Sequence, residues 1–177
     1  MDEKQFRAKL DEATNGFPRK HIDRIAGLKK LYPHKISLHG NPNFFERDDC
    51  FLYAFRNLLP DDLLAAFINL VSDKPELFES ICNDLILKEF VSLHAKQIDS
   101  DRIVVYFLGN TPKHYGRIEG DTVLSKWGNG YIWKHGLFEI PLSYGETIRF
   151  SGGVIDRSVF NTVIKTHKEQ GAEVKSI

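Results

Sequence analysis

Apolar positions recur at helical spacing through the first half of the chain and at strand spacing from residue 102 onward. Residues 2–13 set Phe6, Leu10 and Ala13 on one side, which predicts a short amphipathic helix. Asn15-Gly16-Phe17-Pro18 breaks it, and a second short helix is predicted over about 19–31 through Ile22, Ile25, Ala26 and Leu28. Residues 33–49, with two prolines, a glycine and two asparagines, read as a loop that delivers the chain to Cys50. Phe51, Ala54, Phe55, Leu58 and Leu59 then return at helical spacing. Pro60-Asp61-Asp62 ends that helix and caps the next, LLAAFINLV. A longer helix over about 75–96 turns Leu77, Phe78, Ile81, Leu85 and Phe90 inward.

The β-branched and aromatic run RIVVYFLG, starting at Arg102, predicts a buried central strand. KHYGRI, TVLSKWG, a YIW segment and ETIRFSG follow at short spacing with glycine-containing turns, predicting an antiparallel sheet of four to five strands. Residues 156–170 read as a closing helix. Helices precede strands, an α+β order rather than an alternating βαβ one.

A length of 177 residues predicts a single domain, and a 42% hydrophobic and 27% charged composition excludes disorder and collagen-like structure. The formal charge of zero argues against a nucleic-acid partner, because phosphate neutralisation needs a basic excess. That zero has two parts. Residues 1–43 hold nine basic against five acidic side chains, and residues 45–101 hold five against twelve. Solvated helix faces account for such runs. The longest strongly apolar run, residues 103–109, is far short of the roughly 20 residues a membrane span needs, so no membrane partner is expected. The charged start MDEKQFRAKLDEA has no apolar leader region, which predicts a cytoplasmic protein or one exported without a Sec signal peptide.

Two cysteines make no disulfide scaffold. Cys82, within ESICNDLIL, reads as an inert core residue. Cys50 stands where a loop becomes a helix, so unpaired backbone N–H groups and the helix dipole favour its thiolate. Asp48 and Asp49 oppose it, which calls for an ion-pairing histidine, and His114 is the candidate. His21, His34, His39, His94 and His167 lack H-x-x-x-H and H-E-x-x-H spacing, so neither a metal nor another cofactor is expected.

The segment ERDDCFLYAF resembles the D-C-x-x-x-A helix start of NlpC-type cysteine amidases within the papain-like superfamily, and KHYGRI resembles the H-x-G strand that carries the family's base. The likeness covers about residues 41–150 and departs from the family at Phe51 and Leu52, which replace Ser-Gly after the nucleophile. It implies one papain-like domain: a helical extension (1–40), a core (41–150) with helices packed on the antiparallel sheet, and a closing helix (151–177). It implies a cysteine hydrolase that cleaves an amide through a thiol acyl-enzyme, with Cys50 as nucleophile and His114 as base. The implied substrate is a peptide of bacterial peptidoglycan. Two alternatives stay open. One is an intracellular papain-like protease, deamidase or acyltransferase of toxin or effector type, which would be matched by an inhibitor or immunity protein. The other is a binding module of the same fold without catalysis.

Register supplies a third residue. Glu119-Gly120-Asp121-Thr122 reads as a two-residue type II′ hairpin, so Glu119 faces Thr122, Gly116 faces Ser125 and His114 faces Trp127. Ser125 and Trp127 then share the face of His114, with Ser125 orienting the imidazole and Trp127 shielding that bond. A three-residue turn would bring Lys126 opposite His114 instead. His135 is the second candidate for the third residue. Asp49, Tyr115, Gly116 and Trp127 are the expected cleft residues, with Tyr144 beside them, and Gly116 leaves room for a substrate backbone.

Overall fold

A computed structural model describes residues 2–40, 49–128 and 130–173. The described chain is α+β, with six α-helices and a six-stranded antiparallel sheet. In chain order these are α1 (Glu3–Ala13), α2 (Arg19–Leu28), β1 (Ser37–Gly40), α3 (Cys50–Phe55), α4 (Asp61–Asp73), α5 (Phe78–Leu87), β2 (Ile103–Leu108), β3 (Thr111–Glu119), β4 (Thr122–Lys126), β5 (Ile132–His135), β6 (Thr147–Ser151) and α6 (Arg157–Glu173). The sheet runs β1-β5-β4-β3-β2-β6.

Strand β2 lies inside the sheet and is buried on both faces, as its continuous apolar run predicts. Ile103, Val105 and Phe107 join one core with residues of α3, α4, α5 and α6, Phe51, Phe67, Ile81 and Phe160 among them. Val104 and Tyr106 join a second core with Phe6 and Leu10 of α1, Ile25 of α2, Trp127 and Trp133. Helices therefore cover both faces, and any site must open at an end or an edge of the sheet.

Three expectations are corrected. The sheet has six strands rather than four to five, because SLHG at residues 37–40 pairs with β5. That strand is short and carries little buried surface, so no alternation announced it. The helix expected over 75–96 is a 3₁₀ turn, Pro75–Leu77, followed by α5, which stops at Leu87. Glu89 has a φ of 61°, outside the helical range, and beyond it Val91 bridges Ile155 and His94 bridges Phe150. Helix α3 ends at Phe55 and α2 at Leu28, both earlier than the apolar spacing suggested.

The β3–β4 hairpin has the expected register from the turn to Arg117, with Glu119 facing Thr122, Ile118 facing Val123 and Arg117 facing Leu124, but the ladder does not extend to the expected Gly116–Ser125 and His114–Trp127 pairs. Gly120 adopts a φ of 61°, as the first central residue of a type II′ turn must. Among the described residues no helix is long and apolar enough to cross a membrane.

Candidate active site

Asp49 caps α3 through a 2.9 Å hydrogen bond accepted from the Leu52 N–H, which places Cys50 in the first turn. Phe51 anchors this short helix, its ring meeting Phe55, Phe67, Phe90 and Tyr115 at centroid separations of 4.8 to 6.0 Å. The helix packs on β3 and β4. There the Cys50 sulfur lies against the backbone N–H of Tyr115 as well as those of Cys50 and Phe51.

Strand geometry explains the Tyr115 contact. The Ile118 N–H donates to the Arg102 carbonyl on the β2 side, so alternation directs the peptide groups of Gly116 and His114 to β2 and those of Arg117 and Tyr115 to β4. The β3–β4 ladder ends at Arg117 and Leu124. The Tyr115 N–H therefore meets Cys50 at the place where a β4 carbonyl would otherwise accept it.

His114 projects to the other face of the sheet, paired with Tyr106 across the β2–β3 ladder. It is 1% exposed. Its imidazole stacks on the Tyr144 ring at 4.1 Å and 19°, with Tyr106 at 5.8 Å, and its Nε2 has no hydrogen-bond partner among the described residues. Tyr144 connects the two candidates. While its ring covers His114, its hydroxyl lies near the Gly128 N–H and close enough to Cys50 to feel a charge there.

Ser125 and Trp127 occupy the His114 face, but Ser125 does not serve His114. The His135 Nδ1–H donates to the Gly136 carbonyl at 2.7 Å, so its Nε2 is an acceptor and takes the single Ser125 hydroxyl proton at 2.8 Å. Ser125 Oγ in turn accepts the Trp127 indole N–H at 2.9 Å. The role of imidazole orienter is thereby corrected: Ser125 orients His135, and Trp127 packs over that pair. His135 is fully buried and near enough to His114 for its charge to oppose protonation there.

Two cleft expectations are also corrected. A Cβ at Gly116 would meet Val123 Cγ1 at 2.4 Å and both Leu124 O and Ser125 Cβ at 3.3 Å, so β4 fills the space expected for a substrate backbone. The Tyr115 ring is buried in the helical core edge-on to Phe51, so its backbone, not its side chain, faces Cys50. Lys126 stands in β4, its Cα paired with Ile132. Asp48 and the rest of residues 41–48 lie outside the described residues.

Protonation differs from expectation as well. Cys50 is only half-buried as a residue, yet burial of its thiol, reinforced by the Asp49 charge, pushes it up to about 12. Burial holds His114 well below its ordinary value of 6.5, and the nearby His135 adds to the effect. At neutral pH the pair is thus thiol and imidazole, not the thiolate–imidazolium pair the sequence suggested. Cys82 is buried in the helical core, and burial raises its thiol too.

Sequence reasoning missed the residues that hold the Tyr144 segment, namely Arg7 and Asp11. Arg7 and Asp11 read as ordinary solvated positions of an amphipathic helix, and their partners lie more than 130 residues away. Among the described residues no group of three or more His, Cys, Asp or Glu could hold a metal ion. Compared with family models, curated proteins and solved structures, the chain has no significant match to any of them.

Proposed function

We propose that this chain is a papain-like cysteine hydrolase that cleaves an amide bond, with a peptide of bacterial peptidoglycan as its substrate class. The observation that carries the reading is the Cys50 sulfur at the Tyr115 N–H, one residue beyond a buried histidine whose Nε2 is unengaged. A cysteine-bearing helix start packed on an antiparallel sheet supports the papain-like reading.

In this scheme neutral His114, on the opposite face of the sheet from the sulfur, takes the Cys50 thiol proton through one bridging water as the sulfur attacks the amide carbonyl. The resulting oxyanion would sit among the N–H groups of Cys50, Phe51 and Tyr115 that already face the sulfur. Collapse breaks the C–N bond, and the imidazolium returns its proton to the leaving amine. Water then attacks the thioester with His114 again as base, releasing the acid and restoring the thiol.

One observation favours a second reading, a binding module of the same fold: at neutral pH the Cys50 thiol is held firmly protonated. Digestion of purified peptidoglycan with wild type, Cys50→Ala and His114→Ala separates the two. The hydrolase reading expects new amines by mass spectrometry with wild type only and similar melting curves for the wild type and Cys50→Ala. No released fragment from several wall types would overturn the peptidoglycan assignment. Iodoacetamide labelling of Cys50 no faster in wild type than in His114→Ala would favour the binding module.

A further inference from the structure

We propose that the N-terminal helix is a working part of the site, with Arg7 and Asp11 as positioning residues that hold Tyr144 against His114. The proposal rests on the reading of His114 as the base.

Arg7 and Asp11 are one helical turn apart on α1 and so share a face. Both reach the same short segment, a 3₁₀ turn at Leu142–Tyr144 between Ile140 and Gly145. Arg7 is 3% exposed, and its guanidinium donates through Nε to the Ile140 carbonyl at 3.3 Å and through Nη2 to the Gly145 carbonyl. One side chain thus ties both ends of the segment. Asp11 grips its middle, accepting the Ser143 N–H at 3.1 Å and the Ser143 hydroxyl at 2.5 Å. The next residue is Tyr144.

A buried guanidinium is costly to desolvate, and the site retains it where two carbonyls and the Phe138 ring, 5.8 Å away, accept it. The segment is fixed from the other side by packing. Gly145 has no room for a side chain, since a Cβ there would lie 2.7 Å from the Phe107 backbone nitrogen. The Glu146 N–H donates to the Phe107 carbonyl at 2.7 Å. With β2 behind it and α1 in front, the segment has one placement, and that placement sets the Tyr144 ring on His114.

The test measures, on the full chain, the pH dependence of Cys50 alkylation by iodoacetamide and the His114 ring-proton shift by NMR. It uses wild type, Asp11→Ala, Asp11→Asn, Arg7→Lys and His114→Ala. Asp11→Ala should leave the fold intact, move the His114 resonance as the Tyr144 ring current changes, and slow Cys50 alkylation about tenfold at neutral pH. Asp11→Asn, which keeps an acceptor for Ser143, should recover most of that loss. Arg7→Lys, which keeps the charge but not the two-carbonyl fork, should not. Slowed alkylation in His114→Ala with wild-type rates and shifts in Asp11→Ala and Arg7→Lys would overturn the positioning role alone. Unchanged alkylation in His114→Ala would overturn the catalytic reading beneath it.

Discussion

The Tyr144 ring lies 4.1 Å from the His114 imidazole, nearly parallel to it, and this stack holds a neutral histidine out of water in the first half of β3. The hydroxyl of the same tyrosine lies close enough to Cys50, which packs against the helical core, to feel a charge there. Tyr144→Phe keeps the ring on the imidazole, so it should leave the His114 titration as in wild type. Tyr144→Ala should let water reach the imidazole, so that His114 titrates closer to its ordinary value. An NMR titration of His114 in both variants checks this, and an unmoved His114 in Tyr144→Ala would refute the covering role.

Stability should fall as the solution is acidified below about pH 6.5. His135 is held at about 4 and His114 well below 6.5, in both cases chiefly by burial. In the unfolded chain both titrate near 6.5, so between that value and the folded ones the unfolded state takes up protons that the folded state refuses. Each histidine then removes about 1.4 kcal/mol per pH unit over its window. Urea midpoints near pH 7 and near pH 5 should show the drop, and equal midpoints would mean the histidines are not held neutral.

Gly116→Ala should destabilise the fold by about 1–3 kcal/mol, because its Cβ would enter the space of Val123 Cγ1. Val123→Ala removes that atom, so the double variant should lose less than the sum of the two single losses. A denaturant-based double-mutant cycle measures the coupling. Strict additivity would show that β4 does not fill the Gly116 space.

Phe51→Ala should cost about 3–5 kcal/mol, since the ring is fully buried among four other aromatic rings. The same packing accounts for a bulky residue directly after Cys50: in this chain the position anchors α3 to the core. Thermal unfolding of the variant gives the cost, and a loss under about 1 kcal/mol would contradict the anchoring role.

What could be read from the chain alone was local. The 3.6-residue spacing of Phe6 and Leu10 marked a helix, and the β-branched run at Ile103–Leu108 marked a strand buried on both faces. Turn chemistry at Glu119–Thr122 set the β3–β4 register and hence the face on which Ser125 lies. These features are legible because backbone geometry repeats over two to four residues and leaves its period in the side chains. Strand β1 escaped because its four residues bury too little to carry a period.

Tertiary structure decided the site. That the Ser125 proton goes to His135 depends on β5 returning beside β4, and that β4 fills the space at Gly116 depends on how closely two strands pack. The protonation of Cys50 and His114 depends on desolvation, which is set by everything packed around a group rather than by its neighbours in sequence. Arg7 and Asp11 meet residues 140–145 because α1 folds across the far end of the chain. Sequence alone therefore determined most of the elements and singled out Cys50 and His114 as candidates. Only the packed fold decided which partners and charges those residues have, because burial and long-range contact leave no periodic trace in the chain.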